Sequence, residues 1–242
     1  MDPVLEQQSN LAFQNLSKII AQQGHDVTAV RASLDASVAQ FRQDIFCLLF
    51  SNAKREDYFV EFGACDGVEI NNTLLLERQF GWTGILAEPG RHWHDRLRRN
   101  RACILDTRCV WKASGQSLMF NQTTFDDRAA ISAFHVAAAG DVVSSYEVET
   151  VTLSDLLSQH GAPKDIDFLS VDVEGAESAI LSAFPFETYK FGFICVEQHG
   201  EADKASLGAI VNRAGYHQVL SAISGYDGWY IPVEKAERLG LA

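Results

Sequence analysis

Residues 58–67 read YFVEFGACDG, and this stretch decides the fold. Its apolar first half, residues 58–62, is typical of a short buried strand and runs directly into Gly63 and Gly67. Glycine adopts the positive φ angles of a tight turn and lets another group approach the backbone closely. Because an apolar helical segment follows at residues 74–80, the stretch predicts the first βα unit of an α/β sheet.

The alternation of strand and helix patterns continues to the end of the chain. Further strands are predicted at residues 84–87, 103–105, 166–171, 191–196, 216–220 and 229–233, looser β segments at 118–120 and 146–151, and helices at 91–100, 176–184 and 204–214. Repeated βα units form a mostly parallel, Rossmann-like sheet with helices on both faces. The short turn at residues 225–228 predicts a C-terminal antiparallel hairpin, with an antiparallel strand at the sheet edge.

Residues 1–52 differ from the rest and are predicted to form a helical arm in front of a catalytic domain at residues 53–242. A near-heptad apolar stripe runs along the second predicted helix of this arm, at Val27, Val30, Leu34, Val38, Phe41, Ile45 and Leu48. Two interpretations stay open. The stripe joins subunits into a homo-oligomer through a coiled coil, or it packs on its own domain. The part from Leu34 to Leu48, next to the domain, is the more suited to folding back.

The bulk composition excludes several classes of protein. With 47% apolar and 21% charged residues, the 242-residue chain is an ordinary globular protein. A net charge of −12 repels polyanions, which argues against a nucleic-acid partner. The apolar run at residues 46–50 is too short to be a transmembrane segment, and no signal peptide precedes it. Five scattered cysteines without a CxxC pair favour reduced thiols in a cytoplasmic protein.

Acidic residues follow the first two strands at the points where ligands of parallel α/β sheets bind. Glu88 stands after the second strand, 27 residues beyond Glu61, and an acid there can accept both hydroxyls of a ribose. A dinucleotide site needs a glycine where this turn has Cys65, and Asp66 would bring negative charge to a pyrophosphate. The turn therefore favours a cationic nucleoside, S-adenosylmethionine (SAM), although a plain strand-to-helix turn is also compatible with it.

A second acidic group lies in residues 167–177, DFLSVDVEGAE. Asp172 ends a predicted strand, Glu174 lies in the following turn, and Glu177 begins a helix. Three carboxylates that converge repel one another unless a cation or a proton sits among them. The pattern predicts a site for the SAM ammonium, a metal or a substrate hydroxyl. The alternative is that Glu177 caps the helix and Glu174 is solvated.

His199 follows the fifth long strand, close behind Glu197. A neutral imidazole there could take the proton from a hydroxyl during methyl transfer. The predicted catalytic residues are therefore His199 as the leading base, with Asp172 and Glu174. A divalent metal held by Asp172, Glu197 and His199 is a further possibility that the residue types allow. The arginine-rich segment at residues 91–101 could attract an anionic glycan, a nucleotide sugar or a lipid surface. A solvated helix face is the favoured interpretation. Residues 121–145 are expected to shape the acceptor pocket.

Five blocks of the sequence resemble the FkbM-type family of SAM-dependent methyltransferases: YFVEFGACDGVEINNT, GILAEP, VETVTLSDLL, IDFLSVDVEGAESAIL and GYDGWYI. The resemblance covers residues 58–231 and implies a Rossmann-like class I methyltransferase fold that O-methylates a sugar, a glycan or a secondary metabolite. It also implies that SAM is contacted by Glu61, Gly63, Ala64, Gly67, Asn72, Glu88 and Asp172. Cys65 and Ser170 depart from the asparagine and lysine usual in the family, and the second departure removes a cation from beside the carboxylates.

Two other functions compete with methyl transfer. A nicotinamide-dependent oxidoreductase could use the same class of fold, but the interrupted glycine pattern argues against a dinucleotide. A non-catalytic assembly subunit could use the arm as its working part, but the intact Glu88 and the complete carboxylate block argue against a decayed site.

Overall fold

A computed structural model describes residues 2–125, 129–134 and 140–242 of the chain. Its helices are α1 (Pro3–Gln22), α2 (Thr28–Ala32), α3 (Gln43–Phe50), α4 (Leu74–Phe80), α5 (His94–Asn100), α6 (Leu153–Gln159), α7 (Glu177–Ser182), α8 (Glu201–Arg213) and α9 (Val233–Leu239). Its strands are β1 (Tyr58–Phe62), β2 (Thr83–Ala87), β3 (Ile104–Asp106), β4 (Cys109–Val110), β5 (Ser117–Thr123), β6 (Ala130–Ile131), β7 (Val142–Val151), β8 (Asp165–Val171), β9 (Lys190–Glu197), β10 (Tyr216–Gln218) and β11 (Asp227–Pro232). Within the described ranges, every helix is too short or too polar to cross a lipid bilayer.

The main sheet has seven strands in the order β10-β11-β9-β8-β1-β2-β3. The pairs from β9 through β3 are parallel, and β11 runs antiparallel to both β9 and β10. The predicted α/β fold and its antiparallel C-terminal hairpin are confirmed. The antiparallel strand is not the edge strand, however, which corrects the sequence-based expectation. The eight residues between β10 and β11 are long enough for β11 to insert between β9 and β10 and leave β10 at the edge.

Both faces of this sheet are buried, as expected for a parallel sheet covered by helices. Alternate residues of a strand point to opposite faces. Phe59 and Phe168 accordingly belong to one apolar cluster, whereas their chain neighbours Val60 and Leu169 belong to another. The two clusters hold the central strands rigidly, so the residues at the strand ends are fixed relative to one another.

A second, four-stranded sheet in the order β4-β7-β5-β6 stands beside the main one. The looser β segments predicted at residues 118–120 and 146–151 lie within its strands β5 and β7. Phe120 and Ile131 of this sheet pack into the same apolar cluster as Val60 of the main sheet. The region at residues 121–145, expected to shape the acceptor pocket, includes residues 126–128 and 135–139, which lie outside the described part of the chain.

The N-terminal arm packs on the main sheet. Its near-heptad stripe is not one helix: α2 ends at Ala32, and Arg42 adopts φ 63° immediately before α3 begins. Val30 and Ile45, from the two helices, lie in one apolar cluster with Trp229 of the main sheet. The apolar residues of the arm are therefore buried against the sheet and do not form the continuous apolar seam of a coiled coil. A homo-oligomer formed through the arm stays a prediction.

Asp44, in the first turn of α3, is a fully buried carboxyl within the arm. Its Oδ1 accepts hydrogen bonds from Ser37 Oγ at 2.6 Å and from the Ile45 amide at 2.8 Å. Burial raises the pKa of Asp44 to about 7, and these hydrogen bonds only partly oppose the shift. The folded state therefore favours the protonated acid, and its contribution to stability is lost as the pH rises through about 7.

The Asp44→Asn variant keeps an acceptor oxygen at this position but cannot ionise. Between pH 5 and pH 8, we expect the free energy of unfolding of the wild type to fall by about 2 kcal/mol more than that of the variant. Urea unfolding at both pH values measures the difference. Asp35→Asn, at an exposed neighbouring position, should keep the wild-type pH dependence. Equal pH dependence of wild type and Asp44→Asn would show that the carboxyl is ionised without cost.

Candidate active site

The order of the strands reverses between β1 and β8, and this switch point opens a crevice at their carboxyl ends. Gly63 leaves β1 there with φ 75°, and its amide donates to the Ala87 carbonyl at 3.1 Å. A Cβ on Gly63 would lie 1.9 Å from the carbonyl oxygen of Asp172. Only glycine allows the two loops to come this close, so the turn after β1 and the carboxylate loop after β8 form one site.

Glu61, at the end of β1, is buried and holds the loop that follows the glycine turn. Its carboxylate accepts hydrogen bonds from Asn71 Nδ2 at 2.9 Å, the Asn72 amide at 3.0 Å and Thr73 Oγ1 at 2.5 Å. Burial raises the pKa of Glu61, and the nearby Arg101 opposes that shift. Because both carboxylate oxygens are engaged, Glu61 shapes the predicted cofactor loop through its neighbours as well as lining the cavity.

Arg101 does not lie on the solvated helix face that the arginine-rich segment predicts. Its side chain is 0% exposed. It donates to Glu77 Oε2 at 2.9 Å, to Asn71 Oδ1 at 2.8 Å and to Thr73 Oγ1 at 2.9 Å, and it lies 4.0 Å from Glu61 Oε2. The helix ends at Asn100, so the chain turns and carries Arg101 inward beneath the glycine turn.

Glu88 follows β2 and is buried at the cavity wall, where it was predicted to take a ribose. Its carboxylate accepts from the Cys65 amide at 2.9 Å and from the Gly90 amide at 2.6 Å. Burial raises the pKa of Glu88 to about 7, and these two hydrogen bonds oppose the shift. Ala64 and Asn72 line the same cavity, and the Asn72 side chain donates to Ser170 Oγ at 3.0 Å.

The described glycine turn has a second constrained position at Gly67, with φ 75°. A Cβ there would lie 2.6 Å from the side chain of Leu97 and 2.7 Å from that of Arg101. Gly67 is therefore required for packing of α5 and Arg101 against the turn. Gly67 is buried and is not among the residues that line the cavity, so its direct contact with the cofactor stays a prediction.

Asp172 projects from the end of β8 and is exposed to the cavity. Desolvation by the surrounding protein and the negative charges of Glu197 and Glu174 raise the pKa of Asp172 well above its usual range. Because Asp172 is exposed to the cavity, the repulsion between the carboxylates is the more important of these causes. Asp172 is thus a basic carboxylate placed at the switch point of the sheet.

His199 lies beyond β9 and pairs with two acids. Its Nε2 is 3.8 Å from Glu177 Oε1 and 3.0 Å from Glu197 Oε2. Pairing with Glu177 and Glu197 raises the pKa of His199 to about 11. The two neighbouring carboxylates favour the positively charged form of the ring. This pairing disfavours the neutral imidazole that a general base needs, and the role of His199 as a base stays a prediction.

The carboxylates form two compact groups that share Glu197. One contains Glu174, Glu197 and His199, and the other contains Asp172, Glu177 and Glu197. In each group the ligand atoms lie within 4.8 Å of one another. The residue types allow Asp172, Glu197 and His199 to share one metal. The structure instead groups Asp172 and Glu197 with Glu177, the possible helix-capping acid.

The cavity at the switch point has a volume of about 760 Å³, within the usual range for small-molecule sites. In the described part of the chain it is lined by seven acidic side chains and by two basic ones, Arg96 and His199. Gln40 of the arm and Tyr226 of the β10–β11 loop form part of its wall. Neighbouring Gln43 donates to Asp227 Oδ2 at 2.7 Å, so the arm contributes directly to the cavity.

Residues 61–221 match a family model described as the Methyltransferase FkbM domain. A precorrin-6y C5,15-methyltransferase from Geobacter metallireducens is similar in structure, at 10% identity over 77% of this chain and 84% of that one, with a TM-score of 0.42. A methyltransferase FkbM from Methylobacillus flagellatus is similar at 12% identity over 85% of this chain and 58% of that one, with a TM-score of 0.46. No curated protein sequence is similar enough to count as a match.

Proposed function

This chain belongs to the FkbM methyltransferase domain family, and on that premise we propose that it transfers the methyl group of SAM to a hydroxyl of a sugar, a glycan or a small metabolite. The observation that carries the proposal is the charge of the cavity. Seven acidic side chains face two basic ones, which suits a ligand with a sulfonium and an ammonium. A dinucleotide would bring a diphosphate to the same acidic wall.

In the proposed complex, the residues of the glycine turn and of the β2 end hold the donor. Glu88 accepts hydrogen bonds from the ribose hydroxyls, and the close approach of Gly63 to Asp172 joins the two loops that line the cavity. Bound SAM supplies an electrophilic methyl group on a cationic sulfur. The buried strands β1, β2 and β8 fix these contacts, and positioning of this kind can supply about 7–11 kcal/mol of the barrier lowering.

On the acceptor side, Asp172 and Glu174 face the cavity and can accept a hydrogen bond from a hydroxyl. An alcohol is a weak nucleophile while it keeps its proton, so O-methylation needs a group that takes this proton. We assign that role to Asp172, because the pairing of His199 with Glu177 and Glu197 favours the protonated ring, which cannot take a proton. His199 then orients Glu197 beside the acceptor.

The proposal is tested by the ligands that the full-length protein binds and by the bond that it makes. In calorimetry we expect S-adenosylhomocysteine (SAH), the demethylated product, to bind one molecule per chain, and NADH to give no heat above dilution. With methyl-labelled SAM and a cell lysate, label should enter the carbohydrate or small-metabolite fraction and resist mild alkali. Hydriodic acid should then release it as iodomethane, as expected for an ether.

Each other outcome contradicts a definite part of the proposal. Absence of SAH affinity, or binding of NADH alone, would overturn the donor assignment. Label that alkali releases as methanol would indicate a carboxyl acceptor, and label that survives hydriodic acid would indicate methylation at carbon or nitrogen. A chain that binds SAH but transfers no label to any fraction would favour the non-catalytic assembly role.

A further inference from the structure

Three carboxylates converge at the inner end of the cavity. Asp172 follows β8, Glu197 ends β9 and Glu177 begins α7, and one oxygen of each lies within 4.8 Å of the others. Strands β8 and β9 are neighbours in parallel register, so the sheet itself sets the spacing of two of the three. Carboxylates held this close repel one another unless a cation or protons lie among them.

Glu177 is the observation that points to a missing ligand. Its side chain is 0% exposed, and its Oε1 accepts hydrogen bonds from the Val173 amide at 2.9 Å and the Gly175 amide at 3.2 Å. Its Oε2 is buried without a hydrogen-bond partner among the described residues. A buried carboxylate oxygen without a partner is costly, because it has lost its water and gained nothing in return. A ligand between Glu177 and the other two carboxylates would satisfy this oxygen.

The positive charge near these three carboxylates does not balance their negative charge. In the described structure, His199 is the basic residue within ion-pair distance of Glu177 and Glu197. The other basic residue of the cavity wall, Arg96, instead lies over the ring of Trp93. SAM carries one net positive charge when its own carboxylate is counted. One imidazolium and one donor therefore leave Asp172, Glu174, Glu177 and Glu197 with an excess of negative charge.

We propose that Asp172, Glu177 and Glu197 bind a divalent cation, Mg²⁺ or Mn²⁺. All three donors are carboxylate oxygens, which are the ligands that these hard cations prefer. The second group, with Glu174 and His199, suits a cation less well, because a ligating histidine must be neutral and this one is paired with two acids. The group that contains the buried Glu177, in which all ligand atoms are oxygens, is therefore the better cation site.

The position of Asp172 gives this cation a role in the proposed O-methylation, on which this part of the inference rests. Asp172 is exposed to the cavity, so a cation held by the three carboxylates would be accessible to an acceptor in the cavity. A hydroxyl that coordinates a divalent cation loses its proton more readily, since the metal stabilises the alkoxide. The cation would also hold the hydroxyl at a fixed place relative to Asp172. Acceptors with two adjacent hydroxyls, as sugars have, could occupy two such positions.

Mn²⁺ serves as the probe, because the electron paramagnetic resonance signal of the free ion disappears when it binds. We expect a titration of the full-length protein with MnCl₂ at pH 7.5 to show one bound ion per chain, displaced by excess Mg²⁺. Glu177→Gln and Glu197→Gln should each lower the affinity at least tenfold. Glu187→Gln removes the same charge at an exposed position of the catalytic domain and should bind as the wild type does.

Thermal melts of each variant show whether a loss of Mn²⁺ affinity comes from a missing metal ligand or from unfolding. Only variants that melt cooperatively are compared with the wild type. No bound Mn²⁺ in the wild type, or equal affinity in Glu197→Gln and wild type, would overturn the metal site. SAH binding to the wild type is measured on the same samples. If the protein binds SAH but not Mn²⁺, the cation site is wrong and the proposed function stands. If it binds Mn²⁺ but not SAH, the proposed function is wrong and the cation site stands.

Discussion

The Arg101→Met variant is expected to lose about 3–5 kcal/mol of unfolding free energy, because it leaves the buried carboxylate of Glu61 without a nearby cation. The Arg101 side chain is 0% exposed and also donates to Glu77, Asn71 and Thr73. Methionine fills much of the space but satisfies none of these acceptors. Chemical denaturation monitored by circular dichroism measures the change.

Arg98→Met is the matched control for this prediction. Arg98 lies three residues earlier, and its side chain is 57% exposed and paired with an exposed Asp95. Its replacement should change the unfolding free energy by less than about 0.5 kcal/mol. Combining Arg101→Met with Glu61→Gln should recover part of the loss, since the second change removes the uncompensated charge. A loss in the double variant equal to the sum of the two single losses would show that charge is not the cause.

The second large effect is expected at Glu88. In the proposed complex, Glu88 accepts two charge-assisted hydrogen bonds from ribose hydroxyls, each worth about 1.5–3 kcal/mol. Because Glu88→Ala removes both, its affinity for SAH should fall roughly 10²–10⁴-fold. Glu88→Gln keeps one acceptor oxygen and should lose less. Calorimetry with SAH measures both variants, and Glu187→Gln again controls for the loss of one negative charge. If Glu88→Ala binds SAH as tightly as the wild type does, Glu88 is not the ribose ligand.

The pH dependence of SAH binding gives an independent readout of the same contact. Burial raises the pKa of Glu88 to about 7, so the group is largely protonated at pH 6 and ionised at pH 8. Because the ionised carboxylate accepts both ribose hydroxyls, the affinity of the wild type for SAH should rise between pH 6 and pH 8. Glu88→Gln cannot titrate and should lose this rise. A rise of the same size in both proteins would assign it to another group.

Much of this fold follows from local patterns that a sequence displays directly. The apolar stretches of β1, β2, β8 and β9 and the helices between them predicted a mostly parallel sheet, since strands alternating with helices allow little else. The acids at the strand ends, Glu88 and Asp172, were found for the same reason. A residue that directly follows a buried parallel strand lies at the ligand-binding edge whatever the rest of the chain does.

Other parts of the site depend on contacts between residues distant in sequence. Arg101 belongs by pattern to an exposed arginine helix, and only the turn after Asn100 directs it to Glu61, forty residues earlier. Glu177 reads as a helix-capping acid, yet packing of α7 against the sheet buries it beside Glu197 and His199. Local pattern does not encode these pairings, because they depend on where separate elements meet.

The sequence alone determined the alternation of buried strands and helices, the glycine turn at Gly63 and the acids at the strand ends, because hydrophobic periodicity and glycine's conformational freedom act over a few residues. Tertiary structure decided the place of β11 inside the sheet, the folding of the arm onto the domain and the pairing of His199 with two acids. Each of these follows from burial of apolar surface and compensation of charge between distant segments. Those energies exist only once the segments are packed together.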